Sequence, residues 1–182
     1  MSDQEPDPTV APWPQYAEAI VELILDGRHL VLIPNDPAAQ DDAVRDPAAQ
    51  DDARDALAGS ATPIWVLTAG DPYPAELGAV ENAARLQRLC DELDALGLQH
   101  HPALGRSRDG AASEVSRAVR GAERENVLAV AARHGQLAVY EIAARIDCVD
   151  VASSSVVTSR AYVVSSAPAG SDELIGPTGW RG

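Results

Sequence analysis

The chain has 182 residues, a formal net charge of −14, and neither Lys nor Phe. That length predicts one domain with tails, large enough to build a core without disulfides or metal. The absence of Lys excludes a P-loop lysine, a Schiff-base lysine and a lysine general base; an acidic chain with no basic stripe is also a poor match for nucleic acid or anionic membrane, which require phosphate neutralisation.

The acidity is uneven: residues 1–62 hold 13 Asp and Glu against 3 Arg, and residues 63–150 hold 13 against 9. The first 14 residues are acidic and Pro-rich, the reverse of a basic leader before an apolar stretch, and no apolar run approaches ~20 residues. The expectation is a soluble cytoplasmic protein. Cys90 and Cys148 are far apart with no C-x-x-C spacing, and Cys90 falls on an apolar helix face, so a buried free thiol is expected there.

In chain order, residues 1–15 carry Pro6, Pro8, Pro12 and Pro14 among acids and predict a disordered arm. Two apolar runs, 19–25 and 28–33, flank Asp26-Gly27, a dipeptide suited to the positive φ angles of a tight hairpin turn. A helix over 16–25 is the rival assignment and would stop at the same dipeptide. A ten-residue tandem repeat follows, 36–45 and 46–55, each copy opening Asp-Pro-Ala-Ala-Gln-Asp-Asp. Asp followed by Pro suits the start of a short helix. The stretch 36–61 is expected to be a solvated acidic insertion, with a docking segment as the alternative.

Residues 64–68 form an apolar, β-branched run that stops at Gly70-Asp71-Pro72-Tyr73-Pro74, predicting a buried strand and a shaped loop. Helical spacing of Ala83, Leu86, Leu89, Cys90, Leu93 and Leu96 predicts a helix over 80–96, closed by Gly97. Strands are expected at 98–104 and 113–119 around a turn at 105–110. A second helix is expected over 122–134, with Glu123 and Glu125 at its positive end and Gly135 closing it. A last clear strand falls at 137–142. Residues 151–182 predict mostly disordered tail with an edge strand at 156–164.

The order from 64 to 142 is β-α-β-β-α-β, so the expected fold is α+β: a ferredoxin-like core with an N-terminal β-hairpin, in one domain over 16–150. Right-handed crossovers in that topology bring the end of strand 64–68, the start of helix 80–96, the 105–110 turn, the start of strand 113–119 and the end of helix 122–134 to one rim. Thr68, Asp71, Asn82, Arg106, Arg108, Glu114, Ser116, His134 and Gln136 are then expected to converge there.

Five clusters carry a family resemblance: Thr68-Ala69-Gly70-Asp71-Pro72; Glu81-Asn82 with Leu86 and Leu89; Gly105 to Gly110; Glu114-Val115-Ser116; and His134-Gly135-Gln136-Leu137-Ala138-Val139. Over roughly residues 65–140 the chain resembles an uncharacterised bacterial family, number 3293 among the domains of unknown function. Asp71 stands where that family has Asn, and His134 where it has an aromatic residue. The resemblance implies a domain and no activity.

Each candidate has a plain alternative. Thr68, Asp71 and Asn82 can orient a polar ligand over a helix N-terminus, or serve their own loop through an Asx-turn and a cap. Glu114 and Ser116 share one side of a strand, where a Glu can act as general base, or they hold the turn's backbone. Arg106 and Arg108 can clamp an anion or face water. Gln136 can read a ligand edge or tie the rim together. His100 and His101 are adjacent on a strand and point to opposite faces, and no metal spacing occurs elsewhere. The expected function is binding of a small polar ligand or a protein partner at the rim, with no cofactor. The alternatives are an enzyme using carboxylate acid/base chemistry on a small polar metabolite or nucleotide, and an acidic interaction protein or nucleic-acid mimic.

Overall fold

A computed structural model describes residues 13–35, 55, 57, 62–71 and 77–168. The arm before residue 13, almost all of the repeat at 36–61, Pro72, Tyr73 and Pro74, and the tail beyond 168 lie outside the described residues. The elements are α1 (Trp13–Glu18), β1 (Ile20–Leu25), β2 (Arg28–Pro34), β3 (Ile64–Thr68), α2 (Ala79–Ala95), β4 (His100–Arg106), β5 (Ser113–Arg120), α3 (Arg124–Arg133), β6 (Ala138–Ile142), β7 (Ile146–Asp150), β8 (Val156–Arg160) and β9 (Tyr162–Pro168).

Local chemistry accounts for most boundaries. Asp26 and Gly27 adopt φ of 51° and 73°, and β1 and β2 pair in register across them from Leu25↔Arg28 to Val21↔Leu32. Gly97 and Gly135 follow α2 and α3 with φ of 70° and 72°, the left-handed closure that a glycine adopts without a Cβ penalty.

All nine strands join one sheet in the order β8-β7-β6-β3-β5-β4-β1-β2-β9, and every neighbouring pair is antiparallel. In a flat sheet, β9 would lie about 29 Å from β6, six strand spacings away. Instead Val164 of β9 shares one apolar cluster with Leu30, Val21, Ala103, Ala118, Val66, Ile142 and Ile146. The Tyr162 hydroxyl donates to the Ala143 carbonyl between β6 and β7 at 2.6 Å. The sheet is therefore rolled into a nearly closed barrel around that cluster.

Alternation along β3 divides the molecule. Ile64 and Val66 point into the barrel, whereas Trp65 and Leu67 point outward, where α2 and α3 cover them with Leu86, Leu89, Leu93, Val127, Val130 and Ala131. All five residues of β3 are buried, and the Trp65 indole N–H donates to the Ala122 carbonyl at 3.2 Å.

This architecture overturns the expected ferredoxin-like α+β core: the described residues form a nearly closed, antiparallel nine-stranded barrel with the helices α1, α2 and α3. The N-terminal hairpin is no appendage, because β1 pairs with β4 and β2 with β9. At the other edge the sheet continues from β6 into β7 and β8. The physical reason is the second sheet face. Two helices cover only one side of β3, β5 and β6, and the opposite side carries Val66, Ala118 and Ile142. Rolling the sheet buries that face against itself and shortens the run of exposed edge.

Candidate functional site

Among the described residues, a cavity of about 530 Å³ opens where β3 and β4 finish and β5 and β6 begin. Its position follows from the same alternation. Continuing the barrel-facing series of β3 beyond Ile64 and Val66 reaches Thr68, which lies opposite Ser116 in β5, while Ala103 of β4 faces Ser116 from the other side. In β5 the series Glu114, Ser116, Ala118 turns polar toward the strand's start. In β6 it runs through Ala138 and Tyr140 to Ile142. The apolar barrel interior thus ends in a polar chamber, walled in part by Gln15, Tyr16 and Ala19 in and beside α1.

Six of the eight expected ligand residues line this cavity: Thr68, Asp71, Arg106, Glu114, Ser116 and Gln136. Asn82 and Arg108 do not. Asn82 clamps the loop beyond β3: its side-chain oxygen accepts from the Asp71 amide at 2.9 Å, and its nitrogen donates to Asp71 Oδ1 at 2.9 Å. Asp71 Oδ1 also accepts from the Leu77 amide at 2.6 Å, and Asp71 holds a φ of 30°. This arrangement fixes a backbone turn that a non-glycine residue adopts only when its surroundings hold it there. Arg108 donates to the Pro34 carbonyl at 2.6 Å and ties the β4–β5 turn to β2. His134, also placed on the rim from sequence, is buried with Nε2 2.9 Å from Glu92 of α2.

Glu114 is the unusual group. Its carboxyl faces the cavity, with the Thr68 hydroxyl beside it and Asp71 nearby. Among the described residues it has no salt-bridge partner. Burial, and less strongly the charge of Asp71, pushes its pKa up to about 7, with the neighbouring Thr68 hydroxyl opposing the rise. Arg106, the cation of the wall, is already engaged: its Nε donates to Glu22 Oε1 at 2.5 Å, and Glu22 Oε2 lies 2.9 Å from His29 Nε2. The His29 hydrogen bond and the Arg106 contact hold the Glu22 carboxyl below its ordinary pKa despite partial burial.

Backbone packing shapes the chamber closely. A Cβ at Gly70 would lie 3.1 Å from Glu114 Oε1 and 3.5 Å from the Asn82 side chain. Gln136 donates to the Gly70 carbonyl at 2.7 Å, and the Gly70 amide donates to Thr68 Oγ1 at 3.0 Å. Behind the loop, Arg85 of α2 donates to the Ala69 carbonyl at 2.5 Å and also to the His134 carbonyl.

Sequence reasoning missed Tyr16, Ser113 and Tyr140 as wall residues. The Tyr140 hydroxyl donates to the Tyr16 carbonyl at 3.0 Å, the two rings lie 6.2 Å apart, and burial raises the Tyr140 pKa well above its ordinary value. The period-two series Ala138, Tyr140, Ile142 was a signal for Tyr140; the local sequence around Tyr16 holds no comparable sign. No group of three or more His, Cys, Asp or Glu among the described residues is placed to hold a metal ion, and no helix there is long and apolar enough to cross a membrane.

The family described as "Protein of unknown function (DUF3293)" matches residues 67–139, which supports the family resemblance over the stretch from β3 to β6. That stretch contains Thr68, Asp71, Arg106, Ser113, Glu114, Ser116, Gln136 and Ala138 of the cavity wall. No curated protein and no solved structure matches the chain.

Proposed function

We propose that the protein binds a small polar molecule in the cavity at the barrel end, with Glu114 as the group that recognises it. The observation that carries this reading is a desolvated carboxyl, without a salt bridge among the described residues, facing a space of about 530 Å³. Burying an unpaired carboxyl costs several kcal/mol or forces it to take a proton. Further along the same strand face, Ala118 fills its position with an apolar side chain at no such cost. The space is of the size that holds small ligands, and a concave chamber suits a small molecule better than a protein surface.

A second reading, an enzyme acting on a small polar metabolite, is favoured by the same carboxyl. A group near 7 can take or give a proton at neutral pH, with the Ser116 and Thr68 hydroxyls on the same wall. We place the protein in the cytoplasm. The free, buried thiols of Cys90 and Cys148 support that location. Burial, with Asp150 nearby, pushes the Cys148 thiol up to about 12, so it is no nucleophile.

A thermal-shift screen of small metabolites on the full chain tests the reading, with Glu114→Gln and the cavity-filling Ala138→Leu as controls. Binders of the proposed kind lose their shift in both variants. Absence of binders, or binders indifferent to both substitutions, would discard it. Turnover of any binder, lost in Glu114→Gln while binding persists, selects the enzyme.

A further inference from the structure

Resting on the cavity reading, we infer that the ligand is a small organic cation carrying N–H donors, an amine, amidine or guanidinium, received by Glu114 and Gln136. The argument is an inventory of polar atoms that face the cavity and remain unspent.

Among the described residues, several donors there are already used. Arg106 Nε donates to Glu22, one Gln136 amide N–H to the Gly70 carbonyl, and the Thr68 hydroxyl to the Val115 carbonyl at 2.9 Å. The acceptors are left over. Glu114 has both carboxyl oxygens and no salt bridge among the described residues, and Gln136 keeps its side-chain oxygen once its nitrogen is committed. Acceptors left over in this way are satisfied by a ligand that brings N–H groups.

Charge points the same way. The groups around Glu114 are Asp71 from the β3–α2 loop, Arg106 and Asp109 from the β4–β5 hairpin, Tyr140 from β6 and Tyr16 from α1. Of the charged ones among the described residues, three are carboxyls counting Glu114, and the cation, Arg106, is paired with Glu22. An anionic ligand would enter against that field, whereas a cation supplies the partner that Glu114 lacks. Tyr16 and Tyr140 contribute aromatic surface of the kind that attracts organic cations.

The occupant must displace the proton that burial holds on Glu114, so binding is linked to pH. Since the carboxyl titrates near 7, binding of a permanent cation at pH 6 releases close to one proton, and at pH 8 almost none. Affinity should rise about tenfold per pH unit below 7 and level off above it.

Three near-isosteric probes test this by calorimetry on the full chain: n-butylguanidinium, neutral n-butylurea and anionic pentanoate. The expected result is that the guanidinium binds at least tenfold more tightly than either at pH 7.5. It should release protons at pH 6, seen by comparing buffers of different ionisation enthalpy. Glu114→Gln should lose that tenfold preference for the guanidinium over butylurea. Proton release is read on the unaltered protein, so the test does not depend on the variant folding. Pentanoate or butylurea binding as tightly as the guanidinium would overturn the inference, as would guanidinium binding without proton release, or none at 10-fold the concentration that suffices for another probe. If either of those other probes binds and Ala138→Leu abolishes it, the cavity reading survives the loss of this one. If no probe and no metabolite binds, both fall.

Discussion

Replacing Glu114 by Gln keeps the side chain's shape and removes its charge, so the pH dependence of stability reports on burial directly. A carboxyl held near 7 in the folded state titrates near 4.5 when unfolded. Between those values the folded protein binds more protons than the unfolded chain, so Glu114 costs stability progressively as pH rises from about 4.5 to 7 and its full penalty stands above 7. Glu114→Gln should therefore be close to neutral at pH 5 and stabilising by about 1–3 kcal/mol at pH 8, measured by denaturant unfolding at both pH values. A gain equal at the two pH values would mean the carboxyl is ordinary. Gly70 offers a separate probe of the same contact. Its backbone needs no glycine conformation, but an Ala methyl would press on Glu114 Oε1 at 3.1 Å. Gly70→Ala should cost about 1 kcal/mol or more through that crowding and weaken any ligand that Glu114 holds; combining it with Glu114→Ala should recover part of the stability loss.

At the level of elements, the loop from β3 into α2 is held by side chains rather than by its own backbone. Asn82 grips Asp71 at two points, and Arg85 joins the Ala69 carbonyl to the end of α3 through the His134 carbonyl. Asn82→Ala should cost about 1–2 kcal/mol, because it strips the support from a non-glycine residue at φ 30°. Its chemical-shift changes should be confined to the loop, the start of α2 and the Glu114 strand; changes spread over the whole barrel would show that the clamp supports the core instead. These elements were the legible part of the chain. Period-3.6 apolar spacing, the closing glycines and the Asp26-Gly27 turn are local signals, and they fall where α2, α3 and the β1–β2 hairpin lie. The strand β7 at Ile146–Asp150 escaped notice. Its five residues, Ile, Asp, Cys, Val and Asp, do not alternate strictly, because Cys148 and Val149 are both buried where the pairing with β8 shifts register.

The closure of the sheet was not legible, because strand pairing is a long-range choice that short windows do not contain. Nothing local in β2 says that its partner is β9, some 130 residues onward. The convergence of Thr68, Glu114, Ser116 and Gln136 on one wall depends only on which strands neighbour β3, β5 and β6, and on which strand ends lie together. It does not depend on how the rest of the sheet is completed. Closure itself can be tested at the edges. Val164 in β9 and Val156 in β8 are both β-branched residues of edge strands, yet Val164 is 1% exposed and Val156 45%. In a sheet left open, both would sit on a lightly covered margin, and Val→Ala would cost little at either place. In the rolled barrel Val164 packs against the cluster that also holds Ile142 and Ile146 from the other side of the sheet. Val164→Ala should then cost about 1–3 kcal/mol, while Val156→Ala should stay within about 0.5 kcal/mol. Tyr162→Phe removes one exposed hydrogen bond at the seam and should lie between them, at about 1 kcal/mol. Equal, small costs for the two valines would mean that β9 does not wrap onto the β6–β7 side. The cavity would then lie at the end of an open sheet, without the apolar interior that desolvates Glu114.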